Sequence, residues 1–130
     1  MDKDKIAQTL TPEALEDLFP IERSNDFFEA FYGDQEDSHF DIRLGFEGIR
    51  DNRIFFSFRL IQRPGKCLAC NMTYGLPHVL GRHPLINLSG LVDDIARLLG
   101  LNHGSINWSL GSTAEESRDL HKIPLIISTG

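Results

Sequence analysis

Cysteine is scarce in this chain. Cys67 and Cys70 are the only two in 130 residues, which excludes a disulfide-dense secreted scaffold and, within one chain, a four-cysteine zinc ribbon. No stretch approaches the roughly 20 apolar residues of a membrane-spanning helix. The charged opening Met1-Asp2-Lys3-Asp4-Lys5 is followed by no apolar run of signal-peptide length. A cytoplasmic location without membrane association is therefore expected, and in that reducing compartment both cysteines would be thiols. Basic residues are also in deficit: 13 Lys and Arg against 19 Asp and Glu give a formal charge of −6 and a pI of about 5.2. Such a surface repels phosphate backbones unless its cations cluster. Arg50, Arg53, Arg59, Arg63 and Lys66 are each separated by acidic or apolar positions, so nucleic acid is not an expected partner. Internal repeats, linkers and any complete catalytic or cofactor fingerprint are missing too, and no catalytic residue can be assigned.

What remains is a composition that folds. An apolar fraction of 41% and a charged fraction of 25% are ordinary for a globular protein, and the length suits one domain with a working core. Residues 1–10 read as a loose arm and 11–130 as a single domain. Thr11-Pro12-Glu13 predicts a helix start, with a capping hydroxyl, a proline at the first helical position and an acid to meet the dipole. Leu15, Leu18 and Phe19 give that helix an apolar face, and Pro20 ends it. A second short helix is expected from Ser24-Asn25-Asp26, carrying Phe27, Phe28, Ala30, Phe31 and Tyr32, with Gly33 past its end. Its aromatics would bind a ligand or partner only if exposed; the spacing favours plugging the core.

Asp34-Gln35-Glu36-Asp37-Ser38 reads as a solvated connection, since it lacks the glycine and the final glutamate of a calcium-binding EF-hand loop. Then comes the clearest local signal. Phe40, Ile42, Leu44 and Phe46 alternate with Asp41, Arg43, Gly45 and Glu47, and Ile54, Phe56, Phe58 and Leu60 repeat the pattern after Gly48 to Arg53. That period is a half-buried β-hairpin. Phe55 and Ile61 fall on the second strand's other face, which marks it as a central strand.

Arg63 to Pro84 holds both cysteines and two of the five histidines, and three incompatible readings fit it. Leu68 to Tyr74 can be a third strand, in which case Cys67 and Cys70 point to opposite faces and are core residues. Alternatively Cys67-Leu68-Ala69-Cys70 is a knuckle holding zinc with His78 and His83, whose spacing suits a histidine pair. The seven residues between Cys70 and His78 are fewer than the familiar finger uses. Thirdly, the cysteines are a thiol redox pair, although Asn71 to Gly75 is a poor helix start and no parallel βαβ pattern surrounds it. Haem attachment is excluded, because Asn71 stands where a histidine is needed. His78 also suits a single helical turn, and His83-Pro84 an extended joint.

Asn87-Leu88-Ser89-Gly90 leads into the best helix of the chain. Ser89 can cap it, Asp93 and Asp94 are placed in its first turn, and Leu91, Val92, Ile95, Ala96, Leu98 and Leu99 form its apolar face before Gly100. Ile106, Trp108 and Leu110 alternate with polar residues as a further strand. Gly111 to Lys122 reads as a charged loop, and Ile123 to Ser128 as a last strand. Pro124, which has no N–H to donate, places that strand at an edge.

The expected fold is α+β: an antiparallel sheet of about five strands, two short N-terminal helices and one longer helix on one face, in the order α-α-β-β-β-α-β-β. Element order and acidic pI together resemble the type III secretion chaperone class. That resemblance implies a domain that binds other chains along its helices and sheet. The expected function is a non-enzymatic binding or adaptor domain whose partner is another protein or a second copy of itself. Phe27, Phe31, Phe55 and Trp108 are the candidate contact residues. A zinc-binding domain on Cys67, Cys70, His78 and His83 is the alternative, and a thiol redox protein the second.

Overall fold

The computed structural model describes residues 3–23, 26, 40–62, 87–101, 106–117 and 119–129. Among them the chain runs α1 (Lys3–Thr9), α2 (Pro12–Leu18), β1 (Phe40–Arg50), β2 (Arg53–Gln62), α3 (Leu88–Leu99), β3 (Ile106–Leu110), β4 (Ala114–Ser117) and β5 (Leu120–Thr129). The fold is α+β, and all five strands form one antiparallel sheet. The expected second helix from Ser24 and the expected strand Leu68 to Tyr74 lie outside the described residues, apart from Asp26.

Residues 1–10, read as a loose arm, instead contain α1. Ile6 and Leu10 are four apart and therefore share a helix face; both are buried, and Leu10 N–H donates to the Ile6 carbonyl at 3.0 Å. In the linear sequence this pair follows a charged opening and is separated by Ala7, Gln8 and Thr9, so it shows no apolar run. Helix α2 forms as expected. The Thr11 hydroxyl accepts from Ala14 N–H at 3.2 Å, Pro12 opens the first turn, and Leu15 and Phe19 are buried. Helix α3 begins earlier than expected, at Leu88, because Asn87 rather than Ser89 caps it. Asn87 adopts a left-handed conformation, φ 49°, and its side chain accepts from Gly90 N–H at 3.3 Å. Asp93 and Asp94 thus fall beyond the first turn. Leu88, Leu91, Val92, Ile95 and Ala96 are buried, while Leu98 lies off that stripe and is 44% exposed. Gly100, at φ 69°, closes the helix in the left-handed region that glycine accepts without strain.

The β1–β2 hairpin is longer and tighter than the alternation indicated. Its strands reach Arg50 and Arg53 around a two-residue turn, Asp51-Asn52, and the register slips once between Phe46 and Gly48. Ile42, Leu44, Ile54, Phe56, Phe58, Leu60, Ile123, Leu125 and Ile127 point to one face of the sheet and pack with the buried residues of the three helices in a continuous core. Phe58 meets Phe19 edge to face at 5.4 Å between centroids.

The last strand is not at an edge. β5 lies between β2 on one side and β3 with β4 on the other. Pro124 is tolerated because its backbone faces a break in the outer partner: its carbonyl accepts from Gly111 N–H at 2.8 Å, and β3 ends at Leu110 while β4 starts at Ala114. In an antiparallel pair a residue's N–H and C=O point to the same neighbour, so the missing N–H faces that interruption and no ladder bond is lost. The segment read as a charged loop contains β4, which pairs with β5 through Ala114 to Lys122 and Glu115 to His121. All four β4 side chains are exposed, so the strand is held mainly by backbone pairing, with the Ser117 hydroxyl donating to the Asp119 carboxylate at 2.7 Å.

Candidate functional site

The residues singled out from the sequence separate into two groups. Cys67, Cys70, His78, His83, Phe27 and Phe31 lie outside the described residues. Phe55 and Trp108 are both half-buried, but the register puts them on opposite faces. Phe55 pairs with Ile126, which pairs with Ser109; Ile54 pairs with Ile127, which pairs with Trp108. Trp108 therefore packs against the helix-covered core, and only Phe55 belongs to the other face. Among the described residues, no group of three or more His, Cys, Asp or Glu is placed to hold a metal ion. None of the described helices is long and apolar enough to cross a membrane.

The face turned away from the helices is built in rows across the strands. Arg43 of β1 pairs with Arg59 of β2, and Arg59 with Lys122 of β5, so three cations stand side by side. The next row is Gly45, Ser57 and Pro124; beyond it Phe55 and Ile126 are neighbours. The last row sets Arg50 opposite Arg53 at the hairpin end, with Ser128 beside Arg53. The Arg43 and Arg59 side chains are 49% and 40% exposed, and Arg50, Arg53, Asn107 and Ser109 are exposed. Phe55, Pro124 and Ile126 are half-buried between the two basic rows.

Glu47 organises the first of these rows. It is the extra residue at the β1 register slip, and a bulge re-aims a side chain in this way. Its carboxylate accepts from the Ser57 hydroxyl at 2.6 Å and lies 3.4 Å from Arg59 Nη2 and 3.2 Å from Lys122 Nζ. Burial alone would raise the Glu47 pKa, but the Ser57 hydroxyl, the Lys122 ammonium and the Arg59 guanidinium together outweigh it and hold the carboxyl below its usual range. Glu16 of α2 reaches Arg43 at 3.3 Å. Gly45 lets the Arg59 guanidinium lie against β1: a Cβ there would stand 2.7 Å from Arg59 Cζ. A cavity of about 360 Å³ opens beside this corner, bordered by Arg43, Gly45, Arg59, Ile61 and Glu16.

Arg50 and Arg53 differ from the other cations. Neither has a carboxylate partner among the described residues, and like charges directly opposite each other in a sheet repel.

The separation of Arg50, Arg53 and Arg59 by apolar positions argued against a basic cluster only along the linear chain. In a strand, alternate positions share a face, so the residues between them leave Arg53, Arg59 and the cross-strand Arg43 on one face of the sheet. Lys122 had no such signal, because its place depends on β5 pairing with β2. Nothing local to Glu47 announces the bulge either. His121, whose role the sequence does not indicate, is buried on the core side of β5. No family model matches the chain, and no match was found among curated proteins or among solved structures.

Proposed function

We propose that this chain is a small cytoplasmic binding or adaptor domain that acts through protein–protein contacts and performs no catalysis, with the face of the sheet on which no described helix packs as its contact surface. The observation that carries this reading is the asymmetry of the sheet. One face is filled by the core and the helices, while the other presents Phe55, Pro124 and Ile126, half-exposed, between two rows of charged and polar side chains. An apolar centre with a polar rim is the anatomy of a protein contact surface. The described helices carry one apolar groove of their own, at Ala14, Leu18 and Leu98 with Asp17, Asp94 and Arg97 around it, but it lacks the two flanking basic rows.

The test is position-dependent photocrosslinking in cells that express the chain. Benzoyl-phenylalanine replaces Phe55 or Ser109 on the sheet face, and Glu13 or Leu98 on the helices. A protein adduct from the two sheet positions and none from the helix positions is the expected result. Adducts confined to the helix positions, or no adduct from any of the four, would overturn the reading.

A further inference from the structure

The charge on this face specifies its partner more narrowly. We infer that the face takes an acidic protein segment with an apolar centre: carboxylates at each end meet the two basic rows, and apolar side chains meet Phe55, Pro124 and Ile126. This rests on the binding reading above and adds the chemistry of the bound chain.

The first support is charge placement. The chain as a whole carries −6, yet the part of the face formed by β1, β2 and β5 gathers Arg43, Arg50, Arg53, Arg59 and Lys122 against Asp41, Glu47 and, at the turn, Asp51. Five of the 13 basic residues therefore stand on one face of an acidic molecule. The second support is the Arg50 and Arg53 pair. Two guanidiniums held opposite each other without a carboxylate partner among the described residues are unfavourable in the free protein, and each offers a forked donor set that a carboxylate satisfies in two-point fashion. The third is the spacing of the rows. Arg53 and Arg59 are six positions apart on one strand, on the order of 20 Å at about 3.3 Å per residue, which suits an extended segment rather than a single anion.

The same charges argue against a second copy in this position. A two-fold dimer through this face would set basic row against basic row, and like-charge juxtaposition opposes that pairing. Nucleic acid also carries negative charge, but it meets the acidic remainder of the molecule. Its binding is thus a contrary outcome of the test.

The experiment uses the full chain and a fluorescent synthetic peptide with a Leu-Leu centre flanked on each side by glutamates. Saturable binding by anisotropy is expected, weakened about tenfold or more by Arg50→Glu with Arg53→Glu, which corresponds to about 1.4 kcal/mol or more. Arg97→Glu, on the exposed side of α3, should leave affinity unchanged. A thermal unfolding curve for each variant confirms folding, and the milder Arg53→Gln, expected to weaken binding less, guards against a failed double variant. Equal affinity for a peptide with lysines in place of the glutamates would overturn the inference, as would tighter binding of a single-stranded oligonucleotide or indifference to the charge reversal. If crosslinks from Phe55 capture a protein while the acidic peptide does not bind, the acidic partner falls and the contact face stands.

Discussion

Ser57 and Glu47 meet across the β1–β2 ladder, hydroxyl to carboxylate at 2.6 Å, because the β1 bulge turns Glu47 onto the same face as Ser57. Ser57 itself is buried while Glu47 is exposed, so the bond is only partly shielded. This contact ties the fold's one long hairpin to β5 through Lys122, and it sets the protonation of the glutamate.

A pH dependence follows from it. The folded-state pKa of Glu47 lies below the usual value of 4.5, so the ionised carboxylate contributes stability that is fully present above that value and is lost as pH falls through the lower folded-state pKa. Glu47→Gln is expected to lower stability by about 1 kcal/mol or less near neutral pH, the scale of partly exposed ion pairs. Urea melts of both proteins should then converge as the pH drops from 5 to 3, a window on the order of the glutamate titration. A stability difference that stays constant across that window would contradict the role given to Glu47.

Helix α3 offers a backbone test. Asn87 combines a side-chain cap with a left-handed φ of 49°. Asn87→Ala removes the cap and forces a Cβ residue into that conformation, an expected loss of about 1–3 kcal/mol, whereas Asn87→Gly keeps the conformation at ease and should lose clearly less. Equal losses in chemical denaturation would show that the conformation plays no part.

The two faces of the sheet should respond differently to truncation. Phe58 is fully buried and meets Phe19, so Phe58→Ala is expected to cost about 3–5 kcal/mol. Phe55, half-buried on the other face, should cost about 1 kcal/mol when changed to Ala. Guanidinium unfolding midpoints give the comparison, and a larger effect at Phe55 would mean the face assignment is reversed.

Hydrogen exchange separates the two strands that share the outer edge of β5. β2 and β5 are each paired on both sides, and their amides should exchange slowest; β4, four residues long with every side chain exposed, should exchange fastest among the strands. Protection in β4 equal to that in β5 would contradict the pairing described.

The core was legible where periodicity acts alone. Alternation placed Ile42, Leu44, Phe56, Phe58 and Leu60 on one face and Phe55 on the other, and the Thr11-Pro12-Glu13 signal placed α2. The sequence misled where a tertiary contact decides. Pro124 pointed to an edge strand because nothing local reveals that its missing N–H faces the gap after Gly111. Ala114 to Ser117 has no apolar pattern, since its place in the sheet comes from pairing with β5 rather than from burial. α1 was hidden because its buried signal is a single pair, Ile6 and Leu10, behind a charged opening. The contact face was legible only in half: Phe55 and the arginines of β2 follow from one strand's alternation, whereas Arg43, Lys122 and Glu47 join them through register and a bulge that no single stretch encodes.

Amide chemical-shift mapping during titration with the Leu-Leu peptide flanked by glutamates tests the central claim most directly, because it reads location and binding together. The expected result is a saturable set of shifts at Arg43, Arg53, Phe55, Arg59 and Ile126, fading as salt is raised, with α2 and α3 unmoved. Shifts centred instead on the groove between those helices, at Ala14, Leu18 and Leu98, or no shifts at all, would contradict the account.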